Sequence, residues 1–172
     1  KVGAATRAEV VSAIAEVVSD YDGIPLILAP DFTVDDEHVL AADELRESIA
    51  DLLAPQTTIL IADQSTLITL AQPDGEAEAP SLDAAIAHLL SQGAEYVLST
   101  QTGTHRLVNT LFGEEGQLRQ DMWDWPQHRL MGITDTLGAA VAALLANAQE
   151  PAEAAREAQE YLYQAVRQAF RP

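Results

Sequence analysis

Apolar residues recur at helical spacing in several segments of the chain. This spacing predicts amphipathic helices over residues 6–21, 42–53, 81–92 and 151–170. Thr6 is the expected N-cap of the first helix, and Gly23 is expected to end it. The residues predicted to share the inward face of this helix are Val10, Val11, Ile14, Val17 and Val18. A stretch of small apolar residues, 136–147, predicts a buried helix, and residues 65–70 predict a short one.

Short, continuously apolar runs alternate with these helices. They predict strands buried on both faces at residues 24–29, 57–62 and 96–100. Residues 107–112 and 118–123 are joined by Gly113-Glu114-Glu115-Gly116, a pattern that predicts a β-hairpin. Alternating helices and buried strands are typical of an α/β fold with a mostly parallel sheet between two helical layers. Ligands in such folds bind beyond the C-terminal ends of the strands, so we expect the site after Leu28, Ile61 and Leu98.

The composition fits one globular domain with an unusual charge. The chain has 172 residues, of which 48% are hydrophobic, enough for a single core. Its 27 acidic and 9 basic residues give a net charge of −18, which argues against a nucleic-acid partner because phosphate binding needs basic patches. Cysteine is absent, so disulfides and thiolate chemistry are excluded. With no signal-peptide pattern and no apolar run of about eighteen residues, we expect a cytoplasmic protein without a membrane partner.

The start of the chain looks like the end of a strand. Lys1, Val2 and Gly3 lead directly into the first predicted helix, and the chain does not begin with methionine. We therefore expect that an N-terminal portion of the domain is missing.

The turn before the small apolar helix carries the clearest candidate chemistry. Its residues are Gly132-Ile133-Thr134-Asp135. A glycine turn that opens a helix exposes unpaired backbone N–H groups, which form a site for an anion. An aspartate there can accept a proton from a hydroxyl that attacks a phosphoryl group. The alternative interpretation is structural: Asp135 or Thr134 caps the helix.

These segments resemble a known enzyme family. The residues from Gly132 to Ala140 resemble the Gly-Ala-Gly-Asp signature that opens the anion-hole helix of ribokinase-like kinases. Other segments resemble the hydroxymethylpyrimidine/phosphomethylpyrimidine kinase branch, namely residues 1–3, 8–11, 23–28, 52–55, 144–147 and 151–170. The resemblance spans nearly the whole chain in order. It implies a three-layer ribokinase-like domain over residues 1–172 that lacks the family's N-terminal third.

The resemblance also implies roles for individual residues. It places the catalytic base at Asp135, the anion hole at Gly132, Ile133 and Thr134, and nucleotide contacts at Asp63, Thr66, Thr100, Thr102 and Gly103. Several of these positions depart from the family pattern. Thr134 replaces a glycine, and its Cβ is expected to restrict the backbone. Thr66 replaces a glutamate that helps to organise Mg²⁺, and Ala29 stands where the family has an acid, for which Asp31 is an imperfect substitute.

Two functions follow from the resemblance. One is ATP- and Mg²⁺-dependent phosphorylation of hydroxymethylpyrimidine or its monophosphate in thiamin biosynthesis, which the retained Asp135 favours. The other is a catalytically impaired kinase fold that serves as a ligand sensor or scaffold, which Ala29, Thr66 and Thr134 favour. A ribokinase-like enzyme with a different alcohol substrate is a third possibility. The resemblance further implies a homodimer, with the hairpin as a candidate contact surface.

Other candidate residues carry weaker signals. Residues 35–38, three acids and a histidine, are expected to form a solvated loop in preference to a metal site. His105 and His128 lie in loops near the predicted ligand end. Trp123 and Trp125 are expected to cover a hydrophobic edge or a dimer surface in preference to stacking on a base. No Gly-x-x-x-x-Gly-Lys motif is present, so a P-loop enzyme is excluded.

Overall fold

The computed structural model describes residues 1–21, 23–32, 39–72, 78–126 and 132–168, and within them a five-stranded sheet forms the centre of the fold. The strands, in chain order, are β1 (Ile27–Leu28), β2 (Ile59–Asp63), β3 (Tyr96–Thr102), β4 (Arg106–Gly113) and β5 (Gly116–Asp124). They lie side by side in the same order. The pairing is parallel from β1 to β3 and antiparallel from β3 to β5. Val2 extends the parallel side through an isolated bridge to Leu28.

Helices cover both faces of this sheet. In chain order they are α1 (Ala8–Ser19), α2 (Val39–Ser48), α3 (Gln64–Ala71), α4 (Leu82–Ser91), α5 (Ile133–Ala146) and α6 (Pro151–Gln168). After α2 the chain continues through a π-helical turn, Ile49–Leu53, and a 3₁₀ turn, Ala54–Gln56. No helix in the described ranges is long and apolar enough to cross a lipid bilayer.

Two hydrophobic clusters separate the three layers. Because side chains alternate along a strand, neighbouring residues of each parallel strand enter different clusters. Leu28, Leu60 and Val97 pack against buried side chains of α1 to α4. On the other face, Ile27, Ile59, Ile61 and Leu98 pack against α5 and α6. The predicted three-layer α/β class and the hairpin are therefore confirmed.

Some predictions about the first helix are wrong. The helix starts at Ala8 with Arg7 at the N-cap, so Thr6 lies one residue too early to cap it. Its predicted inward face is only partly covered, because Val11 is fully buried whereas Val10 and Val17 are 37% and 58% exposed. Helical spacing identifies an apolar face correctly, but spacing alone does not determine how much of that face another element covers.

Candidate functional site

A cleft of about 450 Å³ opens at the C-terminal ends of the three parallel strands. Its walls come from the segments after β1 and β2, the end of β3, the inner face of β4 and the first turn of α5. Ends of neighbouring parallel strands meet at the same edge of a sheet, which is why residues distant in sequence converge here. The predicted site residues that line the cleft are Asp63, Thr66, Thr100, Thr102, Gly132, Ile133, Thr134 and Asp135.

The N-terminus of α5 is not capped by a side chain. Gly132 is the N-cap residue, with φ 73° and ψ 14°, a left-handed conformation that glycine adopts at little cost. The first helical bond runs from the Thr136 N–H to the Gly132 carbonyl, at 2.9 Å. The N–H groups of Ile133, Thr134 and Asp135 therefore have no partner within the helix, and the positive end of its dipole lies behind them. This arrangement suits an anion such as a phosphate.

The prediction that Asp135 or Thr134 caps α5 is wrong, because both residues lie inside its first turn. The expected restriction of the backbone at Thr134 is also absent. Among the described non-glycine residues, only Ala148 has a positive φ, of 59°, so threonine at position 134 has ordinary helical geometry. The half-buried Thr134 side chain lines the cleft without straining the chain.

The Asp135 carboxylate forms an ion pair with the only lysine of the sequence. Its Oδ1 accepts a hydrogen bond from Lys1 Nζ, and the Asp135 side chain is 65% exposed. Two glycines leave room for this contact. A Cβ on Gly3 would lie 2.7 Å from Lys1 Nζ, and a Cβ on Gly138 would lie 3.2 Å from Lys1 Cε. No sequence pattern signals this pair, because Lys1 and Asp135 stand far apart along the chain.

Asp63 stands at the end of β2 and caps α3. Its Oδ1 accepts hydrogen bonds from the Thr66 N–H at 2.7 Å and from the Ser65 hydroxyl at 2.8 Å. Partial burial acts to raise the pKa of Asp63, but the hydrogen bonds from Thr66 and Ser65 outweigh it, and the pKa lies below its ordinary value. Asp63 is therefore an ionised carboxylate that lines the cleft and also holds the first turn of α3.

Two residues of the inner wall are not predicted by the sequence patterns. Asn109 on β4 and Trp125 just after β5 both line the cleft, and they are 1% and 5% exposed. The prediction that Trp125 covers a hydrophobic edge or dimer surface is therefore wrong. Its backbone N–H donates to the His105 carbonyl at 2.8 Å, and its ring joins the cluster beneath α5. The two-residue spacing of Trp123 and Trp125 is the available signal, since such residues share one face of an extended chain.

Gly103 does not line the cleft. Strand β3 continues to Thr102, so the chain turns later than predicted, and the Gly103 N–H donates to the Arg106 carbonyl at 2.7 Å. His105, in the same turn, is exposed and is also not among the cleft residues. His128 and residues 35–38 lie outside the described residues.

The cleft is better suited to a metal ion that binds together with nucleotide phosphates than to one that protein side chains hold alone. Within the described part of the chain, no group of three acidic or histidine side chains is arranged to hold a metal ion. Mg²⁺ commonly binds through one or two carboxylates together with substrate phosphates and water. Asp31, Asp63 and Asp135 supply carboxylates along this cleft, so the donor set fits that mode of binding.

Solved structures with this fold include three bacterial kinases. The pyridoxal kinase from Staphylococcus aureus in complex with AMP-PCP is 18% identical, with a TM-score of 0.79 over 96% of this chain and 60% of its own. The pyridoxal kinase of Bacillus subtilis in an ADP complex is 21% identical, with a TM-score of 0.70 over 95% of this chain and 61% of its own. Phosphomethylpyrimidine kinase from Clostridium difficile 630 is 19% identical, with a TM-score of 0.67 over 95% of this chain and 65% of its own.

These similarities show the fold, and the chain spans only 60% to 65% of the length of those structures. No curated protein sequence matches the chain significantly. The family model of phosphomethylpyrimidine kinase, in contrast, matches residues 1–172, the full length given. The chain belongs to the phosphomethylpyrimidine kinase family.

Proposed function

We propose that this protein transfers the γ-phosphoryl group of ATP to the hydroxyl of hydroxymethylpyrimidine or of its monophosphate, a step of thiamin biosynthesis. The observation that carries the proposal is the first turn of α5. It presents three N–H groups that have no partner within the helix, together with the Asp135 carboxylate, to one cleft at the ligand end of the sheet. A phosphate-binding group beside a carboxylate base is the minimum that phosphoryl transfer requires.

The N–H groups of Ile133, Thr134 and Asp135 would bind the oxygens of the transferred phosphoryl group. These donors are fixed by the helix, so they stabilise the charge that develops on those oxygens without reorganising. The substrate hydroxyl oxygen attacks the γ-phosphorus, the bond to the ADP oxygen breaks, and the hydroxyl proton passes to Asp135. Family membership supports this assignment, and the AMP-PCP and ADP complexes of the pyridoxal kinases support ATP as the donor.

Lys1 would hold the Asp135 carboxylate in place through their hydrogen bond. Thr66, Thr100 and Thr102 offer hydroxyl groups along the remaining wall, where we place the nucleotide phosphates. Asp63 is the residue that we expect to hold Mg²⁺, because its carboxylate is ionised and lines the cleft. Bound there, Mg²⁺ would neutralise phosphate charge during the transfer.

A specific observation favours the second candidate, a sensor or scaffold built on the kinase fold. Three carboxylates, those of Asp31, Asp63 and Asp135, line a cleft that must accept a highly charged nucleotide. Negative charge on the walls of a cleft opposes the entry of an anion. If Lys1 and Mg²⁺ do not offset this charge, the site would take a neutral pyrimidine and reject ATP.

Calorimetric titration of the full-length protein separates the two functions. The titrants are a non-hydrolysable ATP analogue with Mg²⁺ and hydroxymethylpyrimidine, each alone and then together. The kinase proposal expects nucleotide binding with a Kd on the order of micromolar to millimolar, typical of enzyme substrates. Pyrimidine binding without any nucleotide binding would contradict it and would support the sensor.

A further inference from the structure

A buried hydrogen-bond acceptor without a partner lies in the inner wall of the cleft. It is Oδ1 of Asn109, on a side chain that is 1% exposed. No hydrogen-bond donor reaches this oxygen from the described residues. A buried carbonyl without a donor is unfavourable, so its persistence calls for an explanation. Asn109 stands in the middle of the sheet, opposite Thr100 on β3 and Asp121 on β5.

The surrounding hydrogen bonds fix which Asn109 atom is the unpaired one. The indole of Trp123 can only donate, so the atom of Gln159 that receives its Nε1–H, at 3.0 Å, must be the oxygen Oε1. The amide nitrogen of Gln159 donates to Asp121 Oδ2 at 3.2 Å and to the Ala155 carbonyl at 3.1 Å, both of which only accept. The amide of Gln159 therefore has a single consistent orientation.

This orientation determines the orientation of Asn109. Because Gln159 Oε1 is an acceptor, the Asn109 atom that contacts it at 2.9 Å must be the amide nitrogen. A flipped Asn109 would bring two oxygens together. The oxygen of Asn109 is thus held as an acceptor on the side of the amide away from Gln159. Asn109 is one of the residues that line the cleft. The hydrogen bond to Gln159, whose own orientation is set by Trp123, Asp121 and Ala155, pre-organises Asn109 before any ligand arrives.

The surroundings of this oxygen indicate which ligand group it suits. The cleft that Asn109 lines is also lined by Leu107, Trp125 and Leu137, which are apolar or aromatic and almost completely buried. Such walls favour a flat heteroaromatic ring. A phosphate is excluded at this point because its oxygens accept hydrogen bonds and would face another acceptor. The oxygen therefore requires a hydrogen-bond donor, and the apolar walls favour one that is attached to an aromatic ring, such as an amino N–H.

We propose that Asn109 is a specificity-determining residue that recognises a heteroaromatic amine, with its Oδ1 accepting a hydrogen bond from the exocyclic amino group of the bound molecule. The inference rests on the proposed function only in that both use the same cleft, and it does not require phosphoryl transfer. Two sources carry this group, the adenine of the nucleotide and an amino-substituted pyrimidine alcohol. A ligand that lacks the amine leaves Oδ1 unpaired, and sites built to hydrogen-bond a polar group reject such ligands.

Binding measurements with matched ligands test the inference. The first pair is AMP-PCP and its analogue with unsubstituted purine as the base. The second pair is 4-amino-5-hydroxymethyl-2-methylpyrimidine and the same compound without the amino group. Calorimetry on the full-length wild-type protein is expected to show about a tenfold preference for the amine in one of the pairs, the effect of one net hydrogen bond. The pair that shows the preference identifies the source.

Variants then assign the preference to Asn109. Asn109→Leu has a similar shape without the acceptor, and its preference should fall to about one. Gln149→Leu is the matched control, because Gln149 Oε1 is also buried without a partner among the described residues but does not line the cleft. This control should bind like the wild type.

The outcomes separate this inference from the kinase proposal. If the wild type binds the two members of each pair with equal affinity, the inference is overturned. This outcome needs no variant, so the test holds even where Asn109→Leu fails to fold. An amine preference that survives in Asn109→Leu also overturns it. Nucleotide binding without an amine preference leaves the kinase proposal intact. Absence of nucleotide binding, with an Asn109-dependent preference for the aminopyrimidine, contradicts the kinase and supports the inference.

Discussion

The helices α3 and α5 begin in different ways although both open onto the same cleft. Asp63 ends β2 and caps α3 with its own carboxylate, which accepts the Thr66 N–H at 2.7 Å. Gly132 begins α5 in a left-handed conformation and has no side chain with which to cap it. One helix end is thus satisfied within the chain, and the other keeps its N–H groups for an external acceptor.

The difference shows where a phosphate can bind in this cleft. At the α3 end the helix already has a negative group, so a phosphate there would have to bind through Mg²⁺ or a threonine hydroxyl and not through the N–H groups of the helix. The α5 end has N–H groups without a partner within the helix, and the proposed base, Asp135, lies in its first turn. Substitutions at the two ends should therefore act differently, with α5 variants affecting phosphate binding and turnover, and α3 variants affecting stability and, through Asp63, the binding of Mg²⁺.

The largest expected effect is that of Asp135→Asn on turnover. Asparagine keeps the size of the side chain but cannot take the hydroxyl proton, so kcat should fall by about 10²- to 10⁴-fold in an ATP-dependent assay with hydroxymethylpyrimidine. Stability should change by less than about 0.5 kcal/mol in urea unfolding, because the residue is largely exposed. The control is Asp83→Asn, which alters an exposed acid in the first turn of α4, away from the cleft. Full activity of Asp135→Asn would exclude it as the base.

Gly132→Ala should weaken nucleotide binding in addition to stability. Alanine is strained at φ 73° by about 1–2 kcal/mol, and relaxation of that strain would turn the N–H groups of α5 away from the phosphate. We expect at least a tenfold rise in the Kd for AMP-PCP, measured by calorimetry. Gly116→Ala is a matched control, since Gly116 has φ +101° and, like Gly132, leaves an added Cβ without a neighbour within 4 Å. It should lose similar stability and keep its affinity; equal affinities of both variants would contradict phosphate binding at α5.

Much of the cleft can be predicted from the sequence because each buried parallel strand appears as a continuous apolar run. Asp63 and Thr100 follow continuously apolar runs, and Gly132 precedes a helix of small residues, so the order of the pattern alone assigns each of them to the ligand end. The predicted end of β3 at Thr100 is wrong because polar residues extend the strand to Thr102, and Gly103 lies outside the cleft. A run of apolar residues defines the buried middle of a strand but not its exposed end.

Contacts between distant residues cannot be predicted in this way. The Lys1–Asp135 pair joins residues 134 apart in sequence, and the Asn109–Gln159 bond joins residues 50 apart. Asn109 and Gln159 are ordinary residue types in their local segments. The periodicity therefore does not distinguish a buried asparagine from a solvated one. Such pairs depend on how α5 and α6 pack on the sheet, which is a tertiary property. Sequence patterns therefore do not reveal Asn109, the most informative polar residue of the cleft.

The smallest effect is expected at the capped end, for Asp63. Asp63→Ala removes the N-cap of α3 and should cost about 1 kcal/mol in urea unfolding near neutral pH. Ser81→Ala is the matched control, because Ser81 caps α4 by accepting the Ala84 N–H at 3.2 Å and lies outside the cleft. The two losses should be similar, and a loss of nucleotide affinity should appear for Asp63→Ala only if its carboxylate holds Mg²⁺.

The pH dependence of Asp63 gives a separate test of the cap. Its pKa in the folded protein lies below the ordinary value of 3.8, so its ionised form stabilises the fold above that pH. This contribution should be lost as the pH falls through the lowered pKa, because the unfolded chain binds the proton more readily. Asp63→Asn keeps an acceptor for the Thr66 N–H but does not titrate, and its stability should fall less steeply than that of the wild type below about pH 4. Since Asp63 is exposed, we expect a difference of only a few tenths of a kcal/mol. Parallel acid profiles of the two proteins would show that the capping carboxylate contributes nothing that depends on its charge.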